Sequence, residues 1–441
     1  MARALNSNVA IKTSKYMHRL KLNHHLCHLI GNGGPTGPVS LSIFWSVSHP
    51  TLFPSCSLAT RAEKIQNISH SVCLFEFRLQ KKIMQVEDAY PTANDGFQIE
   101  FLRWGGGRNF ANNASSSSSS SSPSSRAPEN VVILLHGWSG GPEYFQFCMQ
   151  TLKHNEKTCY LAPRLRGHGC KDDTKGKFHI ARLAKDVHDL IQWLKKKQIC
   201  TENQQFSFVG TSMGCAVIWS FVELFGESEV KNYTFVDQAP LQNVRSDWCL
   251  GSTGCFDEVS LKNLQSAVLK GPDLSEFADG NERACIAEGS NFKCEKEVKM
   301  CTLSCKPEAL AELMADHTNL DWRPLVGSLE KPALVAVGEK TQIFPWKGVA
   351  YVGSLMKNAQ TMVCKDCGHW LYLEQPGLFG FALSNFISTS ESGESQGPSN
   401  ESIEADLRGG YEFYKDKFYF IDAKSVDYRF VGGSPGHYKL L

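Results

Sequence analysis

The stretch FVGTSMG at residues 208–214 decides the fold. It holds the pattern G-x-S-x-G, with Ser212 at its centre, between an apolar run and a helix-forming run. A serine on so tight a turn adopts strained backbone angles, and the glycines on either side leave the backbone room. The turn exposes the hydroxyl and brings a helix N-terminus close to it, where negative charge is stabilised. The sequence therefore predicts that Ser212 is a nucleophile.

Strands and helices alternate on both sides of this turn. Apolar runs predict strands at residues 98–104, 131–135, 158–161, 206–209, 233–236, 333–337 and 361–364, and helices at residues 143–153, 180–194, 213–224 and 371–387. This alternation predicts an α/β fold, in which helices cover a mostly parallel sheet.

Residues 241–331 separate two of the predicted strands. A structureless loop of that length is unusual in a compact domain, and residues 260–269 and 307–314 have helical patterns. We therefore expect an inserted, mainly helical cap over about residues 241–331.

Three other segments lie outside the regular pattern. Residues 1–83 are basic, with no acidic residue before Glu63, which is typical of an organelle transit peptide in a mitochondrial or plastid protein. The alternative is a dispensable extension before a start at Met84, in which case a cytoplasmic location fits equally. The serine-rich segment 105–129 predicts a flexible insertion, which leaves 84–388 as the main domain. Residues 389–441 form a solvated linker and an aromatic tail, which either adds a strand or binds an unknown partner.

Composition excludes several functional classes. Hydrophobic residues make up 42% of the 441, enough for a large core, and 46 Lys and Arg balance 45 Asp and Glu. The near-neutral charge argues against nucleic acid as a partner. No apolar run reaches the roughly 20 residues that a transmembrane helix needs.

A serine nucleophile needs a base and an oxyanion site. His369 follows the last predicted strand, in the chain order nucleophile first and histidine last. The main-chain N–H groups of Trp138, after the strand at residues 131–135, and of Met213 are the natural donors to an oxyanion.

Three segments, residues 131–138, the turn at Ser212 and residues 368–376, resemble the α/β-hydrolase superfamily, in its esterase, lipase and haloperoxidase-like branch. The resemblance covers residues 98–388, and Asp321-Trp322-Arg323 is also similar to the haloperoxidase-like group. It implies an eight-stranded, mostly parallel sheet and serine-dependent hydrolysis through an acyl-enzyme, with no cofactor and no metal.

The sequence departs from this family at two positions. Thr341 stands where the acid of the triad usually follows the next-to-last strand, and Arg164 replaces an aspartate that tends to be structural. Asp237, at the end of the strand after the Ser212 turn, is the preferred acid, and Glu339 is the second candidate. A dyad without an acid is the third alternative.

Six cysteines fall in the predicted cap: Cys249, Cys255, Cys285, Cys294, Cys301 and Cys305. They permit fifteen disulfide connectivities. Disulfides, a metal site and reduced buried thiols all stay open at this stage.

The sequence predicts a serine hydrolase with Ser212, His369 and Asp237 as its triad, acting on small to medium apolar esters. The alternative is a catalytically weak relative that binds a small apolar ligand as a receptor or carrier. A scaffold that binds a partner through its aromatic tail is the third interpretation.

Overall fold

The computed structural model describes residues 90–106, 127–152, 157–169, 178–271, 273–293, 295–389, 414 and 416–428. All of them belong to the compact unit Val86–Leu441. The predictions for the basic extension, for most of the serine-rich segment and for Cys294 lie outside these residues.

An eight-stranded sheet is the centre of the structure, and all seven predicted strands are present in it. The strands are β1 (Phe101–Gly105), β2 (Asn130–Leu135), β3 (Thr158–Pro163), β4 (Phe206–Thr211), β5 (Val230–Val236), β6 (Ala333–Gly338), β7 (Ala359–Cys364) and β8 (Phe418–Ile421). Their order is β1-β3-β2-β4-β5-β6-β7-β8. The six strands from β3 to β7 in this order are parallel, and the two edge strands are antiparallel to their neighbours.

The described residues form eleven α-helices and two 3-10 helices. The α-helices are α1 (Gln146–Thr151), α2 (Ile180–Lys196), α3 (Met213–Phe225), α4 (Glu258–Leu269), α5 (Ser275–Cys285), α6 (Lys296–Leu303), α7 (Pro307–Asn319), α8 (Arg323–Ser328), α9 (Trp346–Leu355), α10 (Leu371–Glu374) and α11 (Pro376–Thr389). The 3-10 helices are Pro142–Phe145 and Ala423–Ser425. None of the described helices is long and apolar enough to cross a membrane.

Helices cover both faces of the sheet. The apolar residues of α2 recur every three or four positions, and the side chains on that face are buried with those of α3 in one core cluster. Residues of α1 and α11 lie in a second cluster with side chains from the other face of the sheet. Every residue of β2 is buried, as expected for a central strand covered on both sides. The predicted α/β class is confirmed.

Five helices, α4 to α8, lie between β5 and β6 in the chain, and we call them the inserted helices. The sequence predicts α4 and part of α7 but not α5, α6 or α8. The side-chain amide of Gln265 on α4 donates to the carbonyl of Ala311 on α7 at 3.0 Å, which joins two of these helices. The insertion is mainly helical, as predicted, while its boundaries at about 241 and 331 stay a prediction.

The aromatic tail contributes the last strand. In β8, Phe418 pairs with Cys364 and Ile421 with Thr361, both on β7. Of the two alternatives for the tail, the described part adds an edge strand to the sheet. Residues 429–441 lie outside the described residues.

Candidate active site

Ser212 lies on a tight turn between β4 and α3. Its backbone angles, φ 50° and ψ −125°, belong to a region that side-chain-bearing residues rarely adopt. A Cβ at Gly210 would lie 2.6 Å from the Cys215 nitrogen, and a Cβ at Gly214 would overlap the carbonyl oxygen of Leu135. The two glycines of the pattern are therefore required by close backbone contacts, as the sequence predicted.

The loop after β2 passes directly beside Ser212. A Cβ at Gly137 would lie 3.1 Å from Ser212 Cβ and 3.7 Å from its Oγ. The main-chain N–H of Trp138, the next residue, has no hydrogen-bond acceptor among the described residues. Met213 is the first residue of α3, so its N–H has no acceptor within the helix. Two main-chain donors thus flank the serine without an acceptor of their own.

His369 and Asp237 form a buried pair. The ring nitrogen Nδ1 of His369 lies 2.8 Å from Asp237 Oδ1, and the two side chains are 6% and 0% exposed. Asp237 stands immediately after β5 with a positive φ of 48°, a strained conformation that turns the chain at the sheet edge. With Nδ1–H donating to a carboxylate, the second nitrogen of His369, Nε2, is the one able to accept a proton.

Two further donors bind the same carboxylate. The Thr341 hydroxyl donates to Asp237 Oδ1 at 2.8 Å, and the Gly338 N–H donates to Oδ2 at 2.9 Å. The residue at the family's usual acid position therefore supports an acid that comes from the end of β5. Glu339, the second candidate, is exposed and accepts from the Asp366 N–H and the Tyr419 hydroxyl.

Glu374 connects the loop that carries His369 to the inserted helices through hydrogen bonds. One carboxylate oxygen accepts from the N–H of Gly368 at 2.7 Å, and the other from the N–H of Ala287, just after α5, at 3.2 Å. The Trp370 N–H also donates to Cys285 O at 3.0 Å. Burial raises the pKa of Glu374. The sequence analysis missed this residue, although a carboxylate five positions after the catalytic histidine candidate was a visible signal.

Ser212 and His369 line one cavity of about 620 Å³. Its other walls are largely apolar and aromatic, and include Tyr144, Leu264, Phe277, Ile343, Phe344, Trp370 and Tyr372. The charged residues among the described lining, Lys270, Glu276 and Arg283, are all exposed. The buried part of the cavity is thus apolar or neutral, which suits an uncharged ligand.

The loop after β3 has a structural role in this arrangement. Arg164, at the second departure from the family pattern, forms an ion pair with Glu143, with Arg164 Nη2 2.6 Å from Glu143 Oε1. His168 accepts the N–H of Ser139 at 3.2 Å through Nε2. The Arg164 contact fits the interpretation that its position in the family is structural, and His168 likewise makes a packing contact.

All described cysteines have free thiols, including Cys249, Cys255, Cys285, Cys301 and Cys305 of the insertion. Of the three alternatives left open by the sequence, these five follow the reduced one. Burial raises the pKa of the Cys148 and Cys367 thiols to about 12, so both stay protonated at neutral pH. Among the described residues, no group of three or more His, Cys, Asp or Glu side chains is arranged to hold a metal ion.

Known proteins resemble this chain in sequence and in fold. A sequence model of the alpha/beta hydrolase family matches residues 132–379, more than half of the chain. Monoacylglycerol lipase ABHD6 from Homo sapiens is 21% identical over 270 residues, which cover 58% of this chain and 75% of that protein.

Solved structures share the same fold at low sequence identity. An esterase from Exiguobacterium antarcticum is similar with a TM-score of 0.56 at 18% identity, over 68% of this chain and all of that one. A bromoperoxidase from Bacillus anthracis has a TM-score of 0.54 at 17% identity, over 67% and 97% of the two chains. At these identities the likeness establishes the fold alone.

Proposed function

Since the chain belongs to the alpha/beta hydrolase family, which supports a hydrolase activity in general, we propose that it is a serine hydrolase. Its reaction is the cleavage of a carboxylic ester through an acyl-enzyme on Ser212. The observation that carries the proposal is the buried bond between His369 Nδ1 and Asp237 Oδ1, next to a cavity that Ser212 also lines.

His369 is the general base and then the general acid. Its Nε2 removes the proton from the Ser212 hydroxyl as Oγ attacks the ester carbonyl, and it returns that proton to the leaving alcohol. Water then repeats the cycle: His369 takes its proton, the hydroxide adds to the acyl carbon, and Ser212 leaves with the proton restored. Asp237 stabilises the imidazolium formed in each half and keeps the proton on Nδ1.

The oxyanion of each tetrahedral intermediate binds the N–H groups of Trp138 and Met213. Both groups lack other acceptors among the described residues, and the Met213 group belongs to a helix N-terminus. Donors that are already oriented stabilise the developing charge without reorganisation during the reaction.

The substrates are small to medium apolar esters. A cavity of about 620 Å³ with aromatic and aliphatic walls accepts an acyl chain together with a small alcohol. All groups in this mechanism come from the chain, so the reaction needs no cofactor.

Release of 4-nitrophenol from 4-nitrophenyl butyrate tests the proposal. Ser212→Ala should lower kcat by about 10⁴-fold or more, because it removes the nucleophile. Ser220→Ala is the matched control, since Ser220 lies buried in the same helix but does not line the cavity. If the folded wild-type protein hydrolyses no short acyl ester, the proposal is wrong and a ligand-binding role takes its place.

A further inference from the structure

Helix α7 contributes one wall of the cavity. Met314 and His317, three residues apart, lie on the same helical face, and both line the cavity. The carbonyl of Leu310, one turn earlier, accepts the indole N–H of Trp138 at 2.9 Å. The helix is therefore held against the same loop that supplies one of the oxyanion donors.

His317 has no partner for its side chain within the described part of the chain. The residue is only 3% exposed, and its Nδ1 is fully buried without a hydrogen bond. A buried polar atom in this state costs free energy, commonly about 1–3 kcal/mol. The unpaired Nδ1 has almost no accessible surface, so a ligand in the cavity meets the ring through Nε2, the other nitrogen, which also has no partner among the described residues.

Gln242 lies on the same wall and is also weakly bonded. Its side-chain nitrogen is 3.8 Å from the Met314 sulfur, and its oxygen accepts from the Cys255 thiol at 3.0 Å. Thioether and thiol groups are weak hydrogen-bond partners. Gln242 is 4% exposed and lines the cavity, so its carboxamide keeps bonding capacity for a ligand.

We propose that His317 and Gln242 form a polar subsite that binds a free hydroxyl group of the ester substrate. The proposal deepens the ester hydrolase function and rests on it. It assigns the preferred substrate to the class of hydroxy esters, with the hydroxyl group on either the acyl or the alcohol part.

The chemistry of the two side chains selects a hydroxyl group. Burial lowers the pKa of His317 to about 3, so the ring is neutral and its Nε2 either donates or accepts a hydrogen bond, depending on the tautomer. The Gln242 carboxamide offers both a donor and an acceptor. A hydroxyl group donates and accepts at once, whereas a carboxylate or an ammonium would enter a buried wall that holds no opposite charge.

Two matched pairs of esters test the subsite. Methyl hexanoate is compared with methyl 6-hydroxyhexanoate, and propyl hexanoate with 3-hydroxypropyl hexanoate. The wild-type protein should prefer one hydroxy ester to its partner by about tenfold or more in kcat/KM, because a site built for a hydroxyl group rejects the analogue that lacks it. His317→Leu should abolish this preference, and His317→Gln should keep part of it.

A histidine outside the cavity provides the control. His188 on α2 stacks on Phe225 and does not line the cavity, so His188→Leu should keep the wild-type preference. Absence of any preference in the wild-type protein would overturn the subsite. Persistence of the preference in His317→Leu would do so as well.

Calorimetry separates failure of the subsite from failure of the hydrolase function. Ser212→Ala should bind the preferred hydroxy ester about tenfold more tightly than its partner, and the added His317→Leu change should remove the difference. Tighter binding of that kind without any turnover by the wild-type protein would reject the hydrolase function and keep the subsite. Equal binding of both esters to Ser212→Ala would reject the subsite whatever the turnover.

Discussion

The two sides of the cavity differ in how their polar groups are satisfied. On the strand side, Asp237 accepts three hydrogen bonds, one of them from His369. On the side of the inserted helices, the His317 side chain has no partner and the Gln242 side chain has only sulfur partners within the described residues. The candidate reacting groups are thus held in place by hydrogen bonds within the protein, while the opposite wall keeps hydrogen-bonding capacity for a ligand.

This difference indicates a division of labour. Groups that stabilise charge in a transition state act best when their partners already hold them in place. Groups that select a substrate need capacity that only the correct ligand fills, because selectivity comes from leaving them unpaired with the wrong one. Under the proposed function, the strand ends determine the reaction and the inserted helices determine which substrate is bound.

The largest expected effect comes from a substitution on the strand side of the cavity. Asp237→Asn should lower kcat by about 10⁴-fold, because the carboxamide favours the wrong tautomer of His369 and cannot stabilise its cation. Steady-state hydrolysis of 4-nitrophenyl butyrate measures the change. Glu339→Gln is the matched control and should leave kcat unchanged, since Glu339 is exposed and bonded elsewhere. Equal losses in both variants would contradict the assignment of the acid.

The Ser212 turn provides the next test. Gly214→Ala should lower the free energy of unfolding by about 3 kcal/mol or more, because its Cβ meets a main-chain carbonyl that cannot move aside. Chemical denaturation gives this quantity directly. Gly327→Ala, in the exposed part of α8 with open space around it, should be neutral or slightly stabilising.

Glu374 connects the loop that carries His369 to the inserted helices, so removing its side chain tests how the two sides depend on each other. Glu374→Ala leaves the N–H groups of Gly368 and Ala287 without an acceptor and should lower the free energy of unfolding by about 1–3 kcal/mol. Because His369 follows Gly368, kcat should fall while KM changes little.

Glu374→Gln should recover part of both losses, since its one amide oxygen can still accept a bond. Glu258→Ala, which breaks an exposed pair with Lys262, should change the stability by no more than about 0.5 kcal/mol. A Glu374→Ala variant with wild-type kcat would show that Glu374 has no positioning role.

The smallest effect concerns the unpaired imidazole itself. The folded pKa of His317 is about 3, below its unfolded value of 6.5, so the unfolded state binds the extra proton as the pH falls. The stabilisation that comes from keeping His317 neutral in the folded state is complete above pH 6.5, and the free energy of unfolding falls progressively as the pH drops toward 3. Between pH 8 and pH 5.5 the wild-type protein should lose about 1.4 kcal/mol more than His317→Leu. Equal losses, measured by denaturation at both values, would mean that His317 is not buried as a neutral group.

Local rules explain which parts of the candidate site could be predicted from the sequence. The G-x-S-x-G turn requires two glycines by steric contact, and a residue at the end of a parallel strand must lie at the edge where the other strands end. Asp237 was the preferred acid because the resemblance to the α/β-hydrolase superfamily implies a second acid position at the end of the strand after the Ser212 turn, while Thr341 occupied the usual one. The bond from Thr341 to Asp237 could not be predicted, since it joins residues 104 positions apart.

The side of the inserted helices was much harder to predict. The helix Ser275–Cys285 contains Gly280 and few apolar residues, so its sequence has no clear helical period. In the sequence, His317 looks like any other residue on the buried face of a helix. Only the structure shows that its side chain has no hydrogen-bond partner among the described residues. Glu374 was missed because one of its partners, the N–H of Ala287, lies 87 positions away in the sequence.

Covalent labelling by a fluorophosphonate reagent tests the central claim most directly, since such reagents react with a serine only when a base activates it. We expect labelling of the wild-type protein at Ser212, none in Ser212→Ala, and strongly slowed labelling in Asp237→Asn. A folded wild-type protein that is not labelled, or a Ser212→Ala variant labelled as fast as the wild type, would contradict it.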